Sequence, residues 1–426
     1  MYIPYYELAQ NISKILPNKY QKAIVDFGYK LKLNQNLKYI AKNQKQVLKQ
    51  LSKKTKLNVA FYVYDDSKWL SQSVYDLMSQ DDRFEPYIFV TKNAALENNF
   101  NYQTIDNVKK TYEFFKSKDM NVLYAYDIEN DKYIPFEKMS PKPDIIIYQH
   151  PWYVETTQGP VVCSKFALTY YIPYFISDTD EWFEYDLRFH KYIYRHYVPN
   201  NIIKNNYAKK MTVNSESLLT VGHPQLDNYL VDDNEYEKKY TIYAPHWTVC
   251  GNNLRYSTFD WNGQEILEFA KQHTDLNWVF KPHPNLYNFF ITSGYMSKEN
   301  MDKYFAEWGK IGKVCFDGNY VCLFKQSRAM ITDSGSFLNE YFVTGQPLIH
   351  LVSESFKGNE SVKKICNTYY NVYSLEEMNK IFEEVLINGN DTKKQERKTL
   401  LKTLNYQNSA KNIIDDISKI FDSRYK

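Results

Sequence analysis

Cysteine is scarce in this chain. The five present (Cys163, Cys250, Cys315, Cys322 and Cys366) are scattered, odd in number and without a Cys-x-x-Cys pair. They give neither a disulfide framework nor a zinc site, and they read as reduced, mostly buried thiols of a cytosolic protein. Long apolar runs are also missing. Nothing approaches the roughly eighteen uninterrupted apolar residues of a membrane span, and Met1 to Gln10 lacks the charged-then-apolar pattern of a secretory signal. Both absences lead to the expectation of a cytoplasmic protein. A large net charge is absent as well: the balance is +3, which gives no reason to make nucleic acid the main partner.

What is present is a core. A chain of 426 residues that is 43% hydrophobic exceeds one ordinary domain, so two are expected. Aromatic content of 17%, with 40 tyrosines, argues against long disorder. Charge is unevenly spread, because between Met1 and Lys56 twelve lysines face only Glu7 and Asp26. Apolar residues recur there at helical spacing (Leu8, Ile12, Ile15, Leu16; Val47, Leu48, Leu51), so residues 1–56 are expected to be helical. Such a basic amphipathic segment is suited to lie on an anionic membrane surface, at about 1 kcal/mol per lysine, or to form a solvated arm packed on the rest of the protein.

Beyond Lys56 strands alternate with helices. Leu57 to Tyr64, Tyr87 to Val90, Val122 to Tyr126 and Asp144 to Tyr148 read as strands, separated by helices near 69–78 and 107–116. This pattern predicts an α/β fold with parallel sheets covered on both faces. Phe166 to Phe175 continues as a core strand, Asp178 to Tyr197 reads as helical on its Trp182, Tyr185 and Phe189 side, and Leu218 to Val221 is a strand before the turn Gly222-His223-Pro224. The first domain spans 57–230. Polar Val231 to Lys239 is the linker, and a second series over 240–392 repeats the alternation, with strands at Tyr240 to Tyr243, Trp278 to Lys281, Lys313 to Phe316, Ala329 to Ile331 and Pro347 to Val352. Helices fill the remainder, 393–426.

Several strand ends carry polar residues beside proline or glycine, as a ligand crevice at the carboxyl edge of a parallel sheet requires. The sharpest is Thr332-Asp333-Ser334-Gly335-Ser336. A strand, a tight turn of small residues and a helix leave the first helical amides without partners, backed by the helix dipole, as a seat for phosphate. Glu340, one to two turns into that helix, is placed to reach the sugar hydroxyls of a nucleotide. An ordinary N-cap by Asp333 or Ser334 is the other reading. His150, just past a strand and before Pro151, is the candidate general base, since a near-neutral imidazole accepts a hydroxyl proton; a structural loop histidine is the alternative.

Tyr-Ala-Pro-His-Trp at 243–247, Lys-Pro-His-Pro at 281–284 and Asp-Ser-Gly-Ser at 333–336, preceded by Gly-His-Pro-Gln-Leu-Asp at 222–227, together resemble the CDP-glycerol glycerophosphotransferases, the teichoic-acid primases and polymerases and related capsule enzymes. The resemblance runs from about Asp144 to Gln346. It implies a GT-B architecture, two Rossmann-like domains facing an interdomain cleft, with the nucleotide on the C-terminal domain and glycan or lipid-linked acceptors at the inner face of the cytoplasmic membrane. It makes His150 and His283 the catalytic residues, with Pro245, His246, Trp247, Lys281, Asp333, Ser334, Gly335, Ser336 and Glu340 around the nucleotide and phosphate. Tyr148-Gln149-His150-Pro151 departs from the family's Trp-His-Gly-Thr, and Trp247-Thr248 stands where an arginine is common; both bear on the donor and acceptor more than on the fold. The implied reaction is attack of an acceptor hydroxyl on the donor's distal phosphorus with release of CMP, and cationic groups plus a helix dipole make a metal or other cofactor unnecessary. A GT-B glycosyltransferase with a CMP- or UDP-sugar donor and a non-catalytic nucleotide- or glycan-binding protein are the other readings.

Overall fold

The computed structural model describes residues 5–14, 17–97, 99, 102–230, 236–249, 256–316 and 320–422. Val231 to Glu235 of the expected linker, Cys250 and the last four residues of the expected C-terminal helices lie outside them.

Two parallel sheets organise the chain. The first contains β1 (Leu57–Val63), β2 (Phe84–Val90), β3 (Val122–Tyr124), β4 (Ile145–Tyr148), β5 (Leu168–Tyr171), β6 (Arg195–Val198) and β7 (Leu218–Thr220), in the order β3-β2-β1-β4-β5-β6-β7. The second contains β8 (Tyr240–Ala244), β9 (Trp278–Phe280), β10 (Lys313–Val314), β11 (Ser327–Thr332), β12 (Leu348–Leu351) and β13 (Tyr370–Val372), in the order β10-β9-β8-β11-β12-β13. Their residues explain this burial on both faces: β4 is Ile-Ile-Ile-Tyr and buried throughout, the near-continuous apolar run of a strand under helices on both sides. In each sheet the order reverses beside the first strand, at β1/β4 and β8/β11. The carboxyl ends at these switch points are where a doubly wound sheet opens a crevice.

The lobes are tied by the end of the chain. Helix Lys394–Leu404 packs on the second lobe through Leu404. Asn405 and Asn408 then take left-handed backbone angles (φ 49° and 58°), which asparagine tolerates, and helix Ser409–Ser418 returns to bury Ala410, Ile413 and Ile417 in the first lobe's core. The helices expected after Lys393 are therefore split between the lobes. Asp227 fixes the return by accepting from the Ser409 and Ala410 amides, each at 2.8 Å.

At the N-terminus, helices Tyr5–Ser13 and Asn18–Leu51 attach through one stripe. Leu33 and Ile40 pack with Tyr192, and Val47 and Leu51 enter the first core. No described helix is long and apolar enough to cross a membrane.

One expected element is wrong. Asp178 to Tyr197 is not a helix but two short 3₁₀ turns, Trp182–Glu184 and His190–Tyr192, followed by β6. The Glu184 carboxylate gathers the hydroxyls of Ser177, Thr179 and Tyr207, and such local side-chain bonds compete with the helical ladder. Helices Asn201–Lys210 and Glu360–Asn367 and strand β13 also emerge where the sequence pattern assigns none.

Candidate functional site in the interlobe crevice

The second lobe brings three expected motifs together at neighbouring strand ends. β8 delivers Pro245, His246 and Trp247, and its partner β9 delivers Lys281, Pro282 and His283. The loops are stitched by the His283 amide donating to the Pro245 carbonyl at 3.1 Å. The two imidazoles stand 5.1 Å apart, centre to centre, with the Trp247 ring 5.8 Å from His283.

Their tautomers follow from the hydrogen bonds. The Asn285 amide donates to His283 Nδ1 at 3.1 Å; His246 Nδ1 accepts from the Thr248 amide at 3.3 Å and pairs at 2.8 Å with the Thr248 hydroxyl, whose oxygen already accepts from the Tyr256 amide and whose proton is left for the ring. With Nδ1 used as acceptor, each neutral ring carries its proton on Nε2 and offers a donor. Burial lowers His246 to about 3; burial and then the Lys281 charge lower His283 to about 4. Both rings are neutral donors at pH 7. Lys281 is buried, its ammonium 4.5 Å from the centre of the Tyr320 ring.

The Asp333 turn is the third part. Thr332 Oγ1 donates to the Ala244 carbonyl at 2.7 Å and accepts from the Ser334 amide at 3.0 Å, which holds β11 against β8 as the backbone leaves the sheet. Helix Gly335–Phe342 begins at Ser334, which makes no side-chain cap bond; Ser334 and Ser336 pair through their hydroxyls at 3.3 Å. Asp333 itself is buried and braces the β8 loop, accepting from the His246 amide at 2.6 Å and from the Thr258 amide at 2.7 Å. Burial raises it to about 6. Beside the turn a cavity of about 780 Å³ is lined by Thr248, Thr258, Trp261 and Ser353.

Two expected roles differ from what the geometry offers. The Glu340 carboxylate does not face the crevice free: it accepts from Tyr229 OH at 2.8 Å, Tyr320 OH at 2.9 Å and Gln225 Nε2 at 2.5 Å, which leaves it little capacity for a ribose. His150 does sit at the end of β4 but is fully buried, its ring stacked 4.2 Å from Tyr64 and tilted against Tyr174 at 4.8 Å. Neither ring nitrogen has a hydrogen-bond partner, and burial lowers the imidazole to about 3. A ring closed in by two tyrosines does not meet a hydroxyl, so the structure does not offer His150 as the expected base. Close by, at the ends of β1, β2 and β4, lies a polar cavity of about 250 Å³ lined by Tyr64, Asp65, Lys68, Asn93, Gln103 and Trp152.

A group that sequence reasoning passes over reaches the turn from the other lobe. The segment after β5 carries Asp178, whose Oδ2 lies so near Gly335 that a Cβ built there would overlap it. The signal available was Asp178-Thr179-Asp180, an Asp-x-Asp spacing. The two carboxylates go separate ways, Asp180 to Lys210 and Asn206 and Asp178 to the turn.

No protein-family model matches the sequence, and no curated protein does. Solved structures match in fold. A UDP-GlcNAc 2-epimerase from Neisseria meningitidis, bound to UDP-GlcNAc, aligns with a TM-score of 0.54 at 14% identity, over 85% of this chain and 100% of that one. The S. aureus MnaA–UDP structure aligns at 0.55 and 13%, over 85% and 96%. The wall teichoic acid polymerase TagF aligns at 0.52 and 12%, over 92% and 98%. These likenesses and the two switch-point sheets establish the architecture: the chain has the GT-B fold, two Rossmann-like domains facing an interdomain cleft.

Proposed function

We propose that the protein is a transferase that moves the activated group of a nucleotide-diphosphate donor to a hydroxyl of a surface-polysaccharide or teichoic-type glycan. The group we assign is glycerol phosphate, or a related polyol phosphate, from a CDP-activated donor. One observation carries the reading. Two neutral imidazoles 5.1 Å apart, the Lys281 ammonium and a helix start without a side-chain cap follow the carboxyl ends of the adjacent strands β9, β8 and β11, a set suited to phosphate oxygens and to a departing nucleotide phosphate.

In this reading the turn at Ser334 to Ser336 seats the diphosphate, His246 and His283 stabilise charge on the oxygens, and the 780 Å³ cavity takes the nucleoside. The acceptor sugar enters over the 250 Å³ cavity of the first lobe, where Trp152 and Tyr64 give ring faces and Asp65, Asn93 and Gln103 give hydroxyl partners. A membrane-linked acceptor agrees with the N-terminal helices, where Leu8 (53% exposed), Ile12 (38%) and Phe27 (61%) stand outward among lysines; such a surface suits anionic headgroups.

Incubation of the pure protein with CDP-glycerol, CDP-ribitol and a panel of CMP- and UDP-sugars, with lipid-linked and free saccharide acceptors, tests the reading. Release of CMP from a CDP-polyol supports phosphoryl transfer. Turnover only with a nucleotide sugar, the ligand class of the epimerase neighbours, replaces it with glycosyl transfer. Tight nucleotide binding without release leaves a binding protein.

A further inference from the structure

The crevice as described has neutral donors and the Lys281 cation for the leaving side but, with His150 closed in, no base for the acceptor. We infer that Asp178 is the general base that takes the proton of the acceptor hydroxyl. The inference rests on the transferase reading above.

Its position is built by both lobes. The Asn359 amide donates to the Asp178 carbonyl at 2.9 Å, and Asn359 Nδ2 donates to the Ser177 carbonyl at 2.8 Å and the Thr179 carbonyl at 2.9 Å. The backbone on both sides of Asp178 is thus held by the N-cap residue of helix Glu360–Asn367. The side chain then projects over Gly335, where the missing Cβ makes room for it. The one hydrogen bond recorded on the carboxylate among the described residues comes from its own backbone amide. A first-lobe carboxylate standing at the seat of the second lobe's phosphate is where a hydroxyl attacking phosphorus must lose its proton.

The electrostatics agree. Burial raises the Asp178 carboxyl to about 6, with the nearby Glu184 adding to it. The other titratable groups that feel its charge are Tyr256, from the loop after β8, and Cys366, on helix Glu360–Asn367; neither carries charge at pH 7. A donor phosphate on the turn makes the carboxylate more basic still. In the step itself, the acceptor O–H bond breaks with its proton passing to Asp178 Oδ2, and the oxygen forms a bond to the distal phosphorus. The bond from that phosphorus to the nucleotide oxygen breaks, and its electron pair leaves on the nucleotide phosphate beside His246, His283 and Lys281. Protonation removes the negative charge of Asp178 from beside the phosphate as charge builds there.

The test compares wild type, Asp178→Asn and the neighbouring control Asp180→Asn for nucleotide release, nucleotide affinity by calorimetry and pH profile. Asp178→Asn is expected to lose about 10²- to 10⁴-fold in kcat with nucleotide affinity kept or increased. The acid limb of kcat/KM, near pH 6 in wild type and in Asp180→Asn, is expected to vanish. Near-normal turnover in Asp178→Asn overturns the assignment, as does a loss with the acid limb unmoved or an equal loss of nucleotide affinity, which marks a structural role. A wild type that turns over no donor overturns the transferase reading, and the assignment with it.

Discussion

At the scale of single residues, the central feature is the pair of Nδ1-accepting histidines. In the proposed reaction His283→Ala and His246→Ala each remove a donor to developing charge, and the expected loss is about 10²- to 10³-fold in kcat by analogy with single oxyanion donors. The fold should be untouched, since both rings are partly exposed at loop positions. Steady-state kinetics beside thermal melts checks this, and unaltered kcat in both variants contradicts it. These histidines were legible in the sequence because each follows a strand and is fixed by an adjacent proline. His150 looked equivalent on the same grounds; what closes it is Tyr64 and Tyr174, residues 86 and 24 positions away, and no local pattern reports such a lid. Glu340 misled similarly, since its partners Gln225, Tyr229 and Tyr320 come from elements distant in sequence.

At the scale of elements, the strand–turn–helix at Asp333 was legible from its small residues, whereas the segment that meets it was not. Glu184 pulls residues 177–186 into a compact loop through hydroxyl bonds that no periodicity shows. Gly335 ties the two elements. Gly335→Ala should favour the helix by local propensity yet lower the melting temperature by a few degrees, because the new methyl meets Asp178. The double variant Gly335→Ala/Asp178→Ala should recover that loss. An undiminished melting temperature in the single variant contradicts the contact. Asn359→Ala removes an N-cap, the bond from the Val362 amide at 2.9 Å, along with both side-chain anchors of the Asp178 loop, and keeps the backbone one. We expect about 1–2 kcal/mol of lost stability from the cap and a fall in turnover at unchanged nucleotide affinity, measured by denaturant titration and kinetics.

At the scale of the whole molecule, the parallel α/β alternation and the two-lobe plan were legible, because buried parallel strands write themselves as apolar runs. The return of helix Ser409–Ser418 to the first lobe was not: its apolar face fits either lobe, and only the break at Asn405 and Asn408 and the Asp227 cap decide. Both lobes also bury neutral imidazoles. Burial lowers His150 and His196 to about 3, His223 and His350 to about 4, and His190 well below its ordinary value. Their folded pKa lies below the unfolded value of about 6.5, so stability is full above pH 6.5 and is lost as pH falls and the unfolded chain takes up protons, by at most about 1.4 kcal/mol per pH unit per imidazole. Five carboxyls raised by burial oppose this, Asp178 and Asp333 at about 6 and Glu184, Asp227 and Glu340 above their ordinary values, against seven lowered imidazoles once His246 and His283 are included. Urea midpoints should be level from pH 8 to 6.5 and fall toward pH 4.5, and a level profile throughout contradicts the buried, neutral state. The N-terminal helices should cosediment with vesicles containing anionic lipid and not with neutral ones, and lose that binding at high salt; equal sedimentation with both lipids contradicts an electrostatic contact.

The claim beneath all of these is that the crevice seats an activated nucleotide on the Ser334 to Ser336 turn and breaks it beside His283. The most direct measurement is free nucleotide released by the wild type and by His283→Ala from CDP-glycerol, CDP-ribitol and the nucleotide sugars, in the presence of acceptor. The account predicts acceptor-dependent CMP from a CDP-polyol with wild type and at least a hundredfold less with the variant; no release from any donor, or equal release by both proteins, contradicts it.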